Sequence, residues 1–275
     1  MIKFNKAVVL VLLILGSLAS MLPFYLMLNM SLKSPTELNT TSVWAPPVKA
    51  TLDNYIAVLT NPNISFAGFL KNTVVITFFS TLGAIFSATL VAFGFARLRF
   101  KGRDRWFILL LSTMMLPGVV TMIPGYTLFK TFGWIDTYLP LIVPAYFGGG
   151  AFNIFLLRQY MMGIPFELDE AAKLDGASSW TIYHQVIMPL CGPALATVGI
   201  FSFLYNWRDF MGPLIYVNSN HKQTLEVGLS AYNSLRSQEW HFLMAGAVMT
   251  SLPLIAIFLL GQRYFVKGIA LTGGK

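Results

Sequence analysis

The chain of 275 residues is 56% hydrophobic and 11% charged, with a formal net charge of +8 and a mean hydropathy of +0.65. So few polar side chains cannot cover the surface of a soluble domain of this length, which excludes that class and points to an integral membrane protein. The positive balance has no stripe of basic residues interleaved with stacking aromatics, so no nucleic-acid partner is expected.

A helix needs about 20 apolar residues to cross a hydrocarbon core of about 30 Å. Six such spans can be placed, at about 7–28, 73–95, 106–129, 139–157, 193–217 and 242–262, which predicts an all-α polytopic fold with one transmembrane domain over 1–275. Strands of a membrane barrel would be shorter and apolar only at alternate positions. The first span contains Ser17-Leu18-Ala19, a small-x-small pattern after a basic start, yet its apolar run continues to Leu28, so an uncleaved anchor in contact with lipid is expected. In the second span Ser80, Ala84 and Ala88 lie beside Gly83, Ser87 and Ala92, a small-residue stripe suited to close helix packing.

The third span is interrupted by Pro117-Gly118 and again by Pro124-Gly125. The fourth holds Pro140, Pro144 and Gly148-Gly149-Gly150. Backbone groups freed by such breaks are tolerated at membrane depth only against protein or a watery cavity, so this region reads either as a pathway lining or as ordinary bundle kinking. Tyr146 and Asn153 are its candidate path residues. The fifth span cannot cross without including Asn206-Trp207-Arg208-Asp209. One reading is an interfacial patch with Trp207 at the headgroups and Arg208 snorkelling. The other is a polar shelf on a solute path, in which Tyr205, Asn206, Trp207 and Asp209 offer ring faces, an amide and a carboxylate to sugar hydroxyls or other polar groups.

Basic residues set the topology. Lys3 and Lys6, then Arg97, Arg99, Lys101, Arg103 and Arg105, then Arg263, Lys267 and Lys275 all fall on one face when the spans alternate. By the positive-inside bias both termini and the loop 163–189 are expected in the cytoplasm, and the loops at 32–71 and 218–240 outside.

No enzyme signature is present. The tail from Gly268 to Lys275 lacks the lysine position of a phosphate loop, and His184, His221 and His241 have no metal-ligand spacing. The lone Cys191 cannot bind zinc or form an internal disulfide. No catalytic residue, metal site or cofactor is expected on this chain. Its spans are also nearly free of the deep ionisable groups that ion-coupled transport requires.

The loop 163–189 is the most charged and most capped segment. Pro165 suits a first helical turn, Glu167, Asp169 and Glu170 favour the positive end of a helix dipole, and Gly176 is placed to end the helix in a left-handed conformation. A short helix over about Pro165–Asp175 is predicted, presenting Phe166, Leu168, Ala171, Ala172 and Leu174. Ser178 or Ser179 would cap a second, from Trp180 to about Ile187, stopped by Pro189. Helices this short need a partner to rest on. The acidic first turn argues against an anionic membrane surface as that partner.

Glu170-Ala171-Ala172, Gly176 four residues beyond Ala172, and Val186-x-Met188-Pro189 after nine more reproduce the spacing of the EAA loop. This loop marks permease subunits of binding-protein-dependent ABC importers. With Phe95-Ala96-Arg97, Asn206-Trp207-Arg208-Asp209 and Lys267-Gly268-Ile269-Ala270-Leu271-Thr272, nearly the whole chain resembles the MalG-like permeases of the carbohydrate-uptake branch. Val186 and Met188 depart from the family's Ile and Leu but stay apolar.

The resemblance implies a bacterial or archaeal inner-membrane importer that moves a sugar or polyol by alternating access. Its partners would be a second permease subunit, two ATP-binding subunits that carry ATP and Mg, and an extracytoplasmic solute-binding protein. It implies ATPase coupling through Glu170, Ala171, Ala172, Leu174, Gly176 and Pro189, and binding-protein contact through Asn218, Ser219, Asn220 and His221. By the same resemblance the tail from Leu271 to Lys275 approaches the ATPase. The alternatives are an ion-coupled secondary transporter, an importer permease for a glycerol phosphate ester, an exporter or lipid-flipping subunit, and a membrane scaffold.

Overall fold

The structure, a computed structural model, describes residues 6–61, 65–235 and 239–272, with side chains described except at 231–235 and 263–272. Lys3, Lys275 and the Gly273-Gly274 end of the tail lie outside the described residues, as do the side chains of Arg263, Lys267 and Leu271. In chain order the helices are α1 (Lys6–Ser31), α2 (Pro35–Thr40), α3 (Asp53–Thr60), α4 (Phe66–Arg97), α5 (Arg103–Ser112), α6 (Gly118–Thr131), α7 (Leu139–Ile142) and α8 (Ala151–Met162). They continue with α9 (Glu167–Leu174), α10 (Ser179–Thr181), α11 (Met188–Leu190), α12 (Gly192–Trp207), α13 (Met211–Tyr216), α14 (Leu225–Leu235) and α15 (Trp240–Thr272). Short 3-10 turns occupy Thr113–Met115, Val143–Tyr146 and Asn220–Lys222, and a π-helix runs over Ile182–Ile187.

Four stretches are long and apolar enough to cross a membrane: Lys6–Ser31, Phe66–Arg97, Leu139–Met162 and Trp240–Gln262. Two further pairs qualify only as bent spans: Arg103–Met115 with Gly118–Thr131, at 98°, and Ser179–Leu190 with Gly192–Trp207, at 80°. The first bend falls at Pro117, where the sequence placed a break. Pro124 instead lies inside α6, so the helix continues through the second expected interruption. The expected span 193–217 is likewise divided, because α12 ends at Trp207 and α13 begins only at Met211.

The chain clusters into two compact units, Met1–Ala67 with Val227–Pro253, and Gly68–Glu226 with Leu254–Lys275. In the first, the segment after α1 is irregular, and side chains satisfy its carbonyls. Asn29 Nδ2 donates to the Val43 and Ala45 oxygens at 2.6 and 2.9 Å, and Asn54 Nδ2 to those of Ser31 and Lys33 at 2.7 and 2.8 Å. The fully buried Lys33 donates through Nζ to the Ser42 carbonyl at 2.9 Å.

The second unit has its core where α4, α5, α8, the π-helix and α12 meet, with Ala88, Ala92, Phe93, Phe107, Leu157, Met161, Ile187 and Val198 in one buried cluster. The small-residue stripe of α4 lets Gly149 approach so closely that a Cβ there would overlap the Ala84 carbonyl oxygen. It has a second use as well. Ser80 Oγ donates to the Leu141 carbonyl at 2.8 Å and Ser87 Oγ to that of Ala145 at 2.7 Å, supplying partners to the broken helix around Pro140 and Pro144. Gly148, Gly149 and Gly150 take φ of +111°, +63° and +89°, a backbone path that L side chains resist, and they turn the chain into α8.

Candidate functional site

The loop between α8 and α12 is built as its residues dictate. α9 ends in two reverse hydrogen bonds, Gly176 N–H to the Lys173 carbonyl at 3.0 Å and Ala177 N–H to that of Ala172 at 2.9 Å, with Gly176 left-handed at φ +80°. Ser178 Oγ then accepts from Thr181 N–H at 3.1 Å and caps the next helix. α9 is shorter than expected at both ends, and Pro165 precedes it. Pro189 does not stop the second helix. It sits in the first turn of α11, where a missing N–H costs little, and the chain turns only after Cys191.

α9 has two distinct faces. Glu167, Glu170, Ala171 and Leu174 recur at helical spacing and are exposed, Leu174 to 90%. Asp169 is buried and Ala172 partly so, packed against the core cluster. The two alanines therefore part company, Ala171 facing out and Ala172 facing the protein's own core. Asp169 pairs with Arg97, the last residue of α4, across 3.5 Å, their side chains only 5% and 1% exposed. Arg97 Nη2 also donates to the Met161 and Ile164 carbonyls at 2.6 and 2.8 Å, and its guanidinium lies 4.6 Å from the Phe166 ring centroid. Burial pushes the Asp169 carboxyl up, and Arg97 and Lys173 oppose that shift. The sequence presented Arg97 as a topological charge and as part of the Phe95-Ala96-Arg97 resemblance, and Asp169 as a dipole partner, without pairing the two.

A cavity of about 940 Å³ opens between α4, α6, the broken segment 140–153, α12 and α13. Asn153, Tyr205, Asn206 and Asp209 all line it, so four of the six expected path residues are brought together. Asn153 Nδ2 donates to the Gly149 carbonyl at 2.7 Å and to Ser202 Oγ at 3.2 Å, and Asn206 Nδ2 to the Ser202 carbonyl at 2.7 Å. Asp209 Oδ1 accepts from Gly212 N–H at 3.0 Å, which makes it a brace for the start of α13. A Cβ at Gly212 would overlap the same carboxylate.

Trp207 and Tyr146 do not line the cavity. Trp207 is 3% exposed and stacks on Phe203, since one residue beyond Asn206 the helix has turned the ring to another face. The Tyr146 ring lies against Gly83, where a Cβ would overlap it.

The segment 217–223 is held from two sides. Asp136 accepts from the backbone N–H groups of Asn218 and Ser219 at 3.0 and 2.8 Å, from Ser219 Oγ at 2.6 Å, and from Lys222 Nζ at 3.0 Å. These hydrogen bonds hold its carboxyl well below the usual carboxylate range, the Ser219 hydroxyl contributing most. Asn72 Nδ2 donates to the His221 and Gln223 carbonyls, both at 2.9 Å. Asn218, Asn220 and His221 remain exposed and Ser219 half-buried. Neither Asp136 nor Asn72 carries a motif, and sequence reading passed over both.

Residues 80–271 match the family of binding-protein-dependent transport system inner membrane components. The chain is 33% identical to an arabinooligosaccharides transport system permease protein of Halalkalibacterium halodurans, over 89% of this chain and 88% of that one. It is 31% identical to a trehalose/maltose transport system permease protein of Thermococcus litoralis, over 93% and 92%. Its structure resembles a chain of a bacterial ABC transporter involved in the import of the acidic polysaccharide alginate, with a TM-score of 0.82 and 25% identity, over 96% of this chain and all of that one. The expected recognition as an importer permease is borne out: with a family model matched over 80–271 and relatives above 30% identity along most of its length, the chain belongs to the binding-protein-dependent transport system inner membrane components, transport subunits of ABC type.

Proposed function

We propose that this chain is a permease subunit of an ATP-driven importer that passes a sugar or related polyol, delivered by an extracytoplasmic binding protein, through the cavity lined by Asn153, Tyr205, Asn206 and Asp209. In this reading both termini and α9 face the cytoplasm, and ATP is hydrolysed on two separate subunits, each seated on the α9 of one permease. The observation that carries the reading is the outward face of α9, on which two carboxylates, Ala171 and a nearly bare Leu174 share one side of an anchored helix. An exposed leucine beside acidic residues suits a protein cleft that supplies an apolar pocket and basic groups. The segment 218–223 is the counterpart on the opposite side, facing the binding protein.

Asp209 is the one carboxyl-bearing residue among the cavity's lining. Its carboxyl oxygens can accept hydrogen bonds from hydroxyls, which supports a polyhydroxylated solute. Arg208, the cation that could favour a phosphate, is exposed and absent from that lining, and its charge acts on Glu226. The relatives named for arabinooligosaccharides and for trehalose and maltose support the same solute class.

Affinity purification of the chain from its native membrane tests the reading. Recovery of a second permease and a P-loop ATPase, with ATPase activity lost on Glu170→Lys, is the expected result. A lone stable chain without ATPase would return the case to a self-sufficient transporter.

A further inference from the structure

We infer that Asp136 is the positioning residue that fixes the segment 217–223 as a ready-made docking edge for the solute-binding protein; the inference rests on the reading that this segment meets that protein. Among the described residues Asp136 is the one non-glycine with positive φ, at +61°. Aspartate tolerates that conformation better than most side chains, and here the bend turns the carboxylate onto the neighbouring loop. Its own N–H donates to the Tyr216 carbonyl at 2.7 Å, and its carbonyl accepts from Lys222 Nζ at 2.7 Å. Side chain and backbone of one residue thus grip the segment at 218, 219 and 222 and the chain just before it at 216.

The far end is closed independently. Besides the two bonds from Asn72, Gln223 Nε2 donates to the Val217 carbonyl at 2.6 Å, and Leu225 N–H donates to Thr73 Oγ1 at 2.9 Å. This grip has two chemical results. The ammonium of Lys222 is compensated by Asp136, so the groups left exposed, Asn218, Asn220 and His221, form an edge rich in hydrogen-bonding groups. A loop already fixed also gives up less conformational freedom when a partner closes on it, so affinity is retained that a free loop would lose.

The test uses the whole importer, reconstituted in lipid nanodiscs with the solute-binding protein isolated alongside it. A spin label on Asn220→Cys, in a Cys191→Ala chain, reports loop mobility, and the ATPase rate against binding-protein concentration reports docking. Asp136→Ala is expected to loosen the label and to raise the half-saturating binding-protein concentration about tenfold with the maximal rate retained. Should that variant fail to assemble, Ser219→Ala with Lys222→Gln removes the side-chain contacts to Asp136 while leaving the backbone ones, and is expected to give a smaller shift of both readouts. A label that stays rigid in Asp136→Ala overturns the inference. So does a loosened label with unchanged half-saturation, if deletion of Asn218–Gln223 abolishes stimulation; the docking reading then stands without Asp136. If the deletion too leaves stimulation intact, the docking reading falls and the inference with it.

Discussion

Arg97 on α4 and Asp169 on α9 form an ion pair at 3.5 Å that is closed to solvent on both sides. Two helices far apart in the chain are thereby joined at the base of the segment proposed to meet the ATPase. One guanidinium thus links α9 to α4 and, through the Met161 and Ile164 carbonyls, to the end of α8.

Removing either partner leaves an uncompensated buried charge, which typically costs about 3–5 kcal/mol. Arg97→Ala and Asp169→Ala are each expected to lower the thermal midpoint of the purified importer and to uncouple ATP hydrolysis from uptake. Arg97→Met with Asp169→Leu, which removes both charges together, is expected to regain much of the stability without the coupling. Differential scanning fluorimetry beside uptake assays separates the two effects.

Gly176 has open space where a side chain would go, so its constraint is the backbone alone. Gly176→Leu is expected to cost about 1–2 kcal/mol from the left-handed conformation and to release the end of α9. Uptake should fall severely while the amount of protein in the membrane is unchanged. Normal uptake at normal abundance would remove the turn from the coupling mechanism.

Gly149 makes the opposite case, because both its φ and its surroundings exclude a side chain. Gly149→Val is expected to reduce membrane abundance itself, since overpacking of this kind costs about 1–3 kcal/mol beyond the strain. Quantitative immunoblotting of membranes is the measurement.

Residues on and off the cavity should separate in kinetics. Tyr205→Ala and Asn206→Ala are expected to change the solute dependence of uptake with little effect on stability. Trp207→Ala should cost about 3–5 kcal/mol of stability as a buried aromatic and leave solute preference alone. A changed solute preference in Trp207→Ala at normal stability would place that ring back on the path.

The depressed Asp136 carboxyl fixes a pH dependence. A group whose pKa is lower in the folded state stabilises the fold above its unfolded value, near 3.8, and loses that contribution only as pH falls through the lower folded value. The loop anchor is therefore expected to persist between pH 7 and pH 5. A spin label at position 220 that loosens across that window would contradict this.

Composition and span length made the membrane class legible, and turn chemistry made the α9 loop legible, because Gly176 and Ser178 act on their immediate neighbours. The breaks at Pro117 and at Gly148–Gly150 were legible for the same reason, as local backbone restrictions. Pro124 and Pro189 were misread because a proline's effect depends on whether the carbonyl or N–H it disrupts has another place to go. Trp207 and Asp209 sit together in sequence but on different faces in space, a separation set by where α12 ends. Arg97–Asp169 and Asp136–Lys222 are long-range pairs, and single residues carry no mark of partners they meet only after folding.

The division of α9 into an anchored side and an open side has an evolutionary consequence. Asp169 and Ala172 answer to the permease's own interior, whereas Glu167, Glu170, Ala171 and Leu174 lie on the exposed side, where the proposed ATP-binding subunit would dock. Substitutions can therefore accumulate on the open side, retuning which energising subunit is accepted, without touching the ion pair that keeps the helix in place.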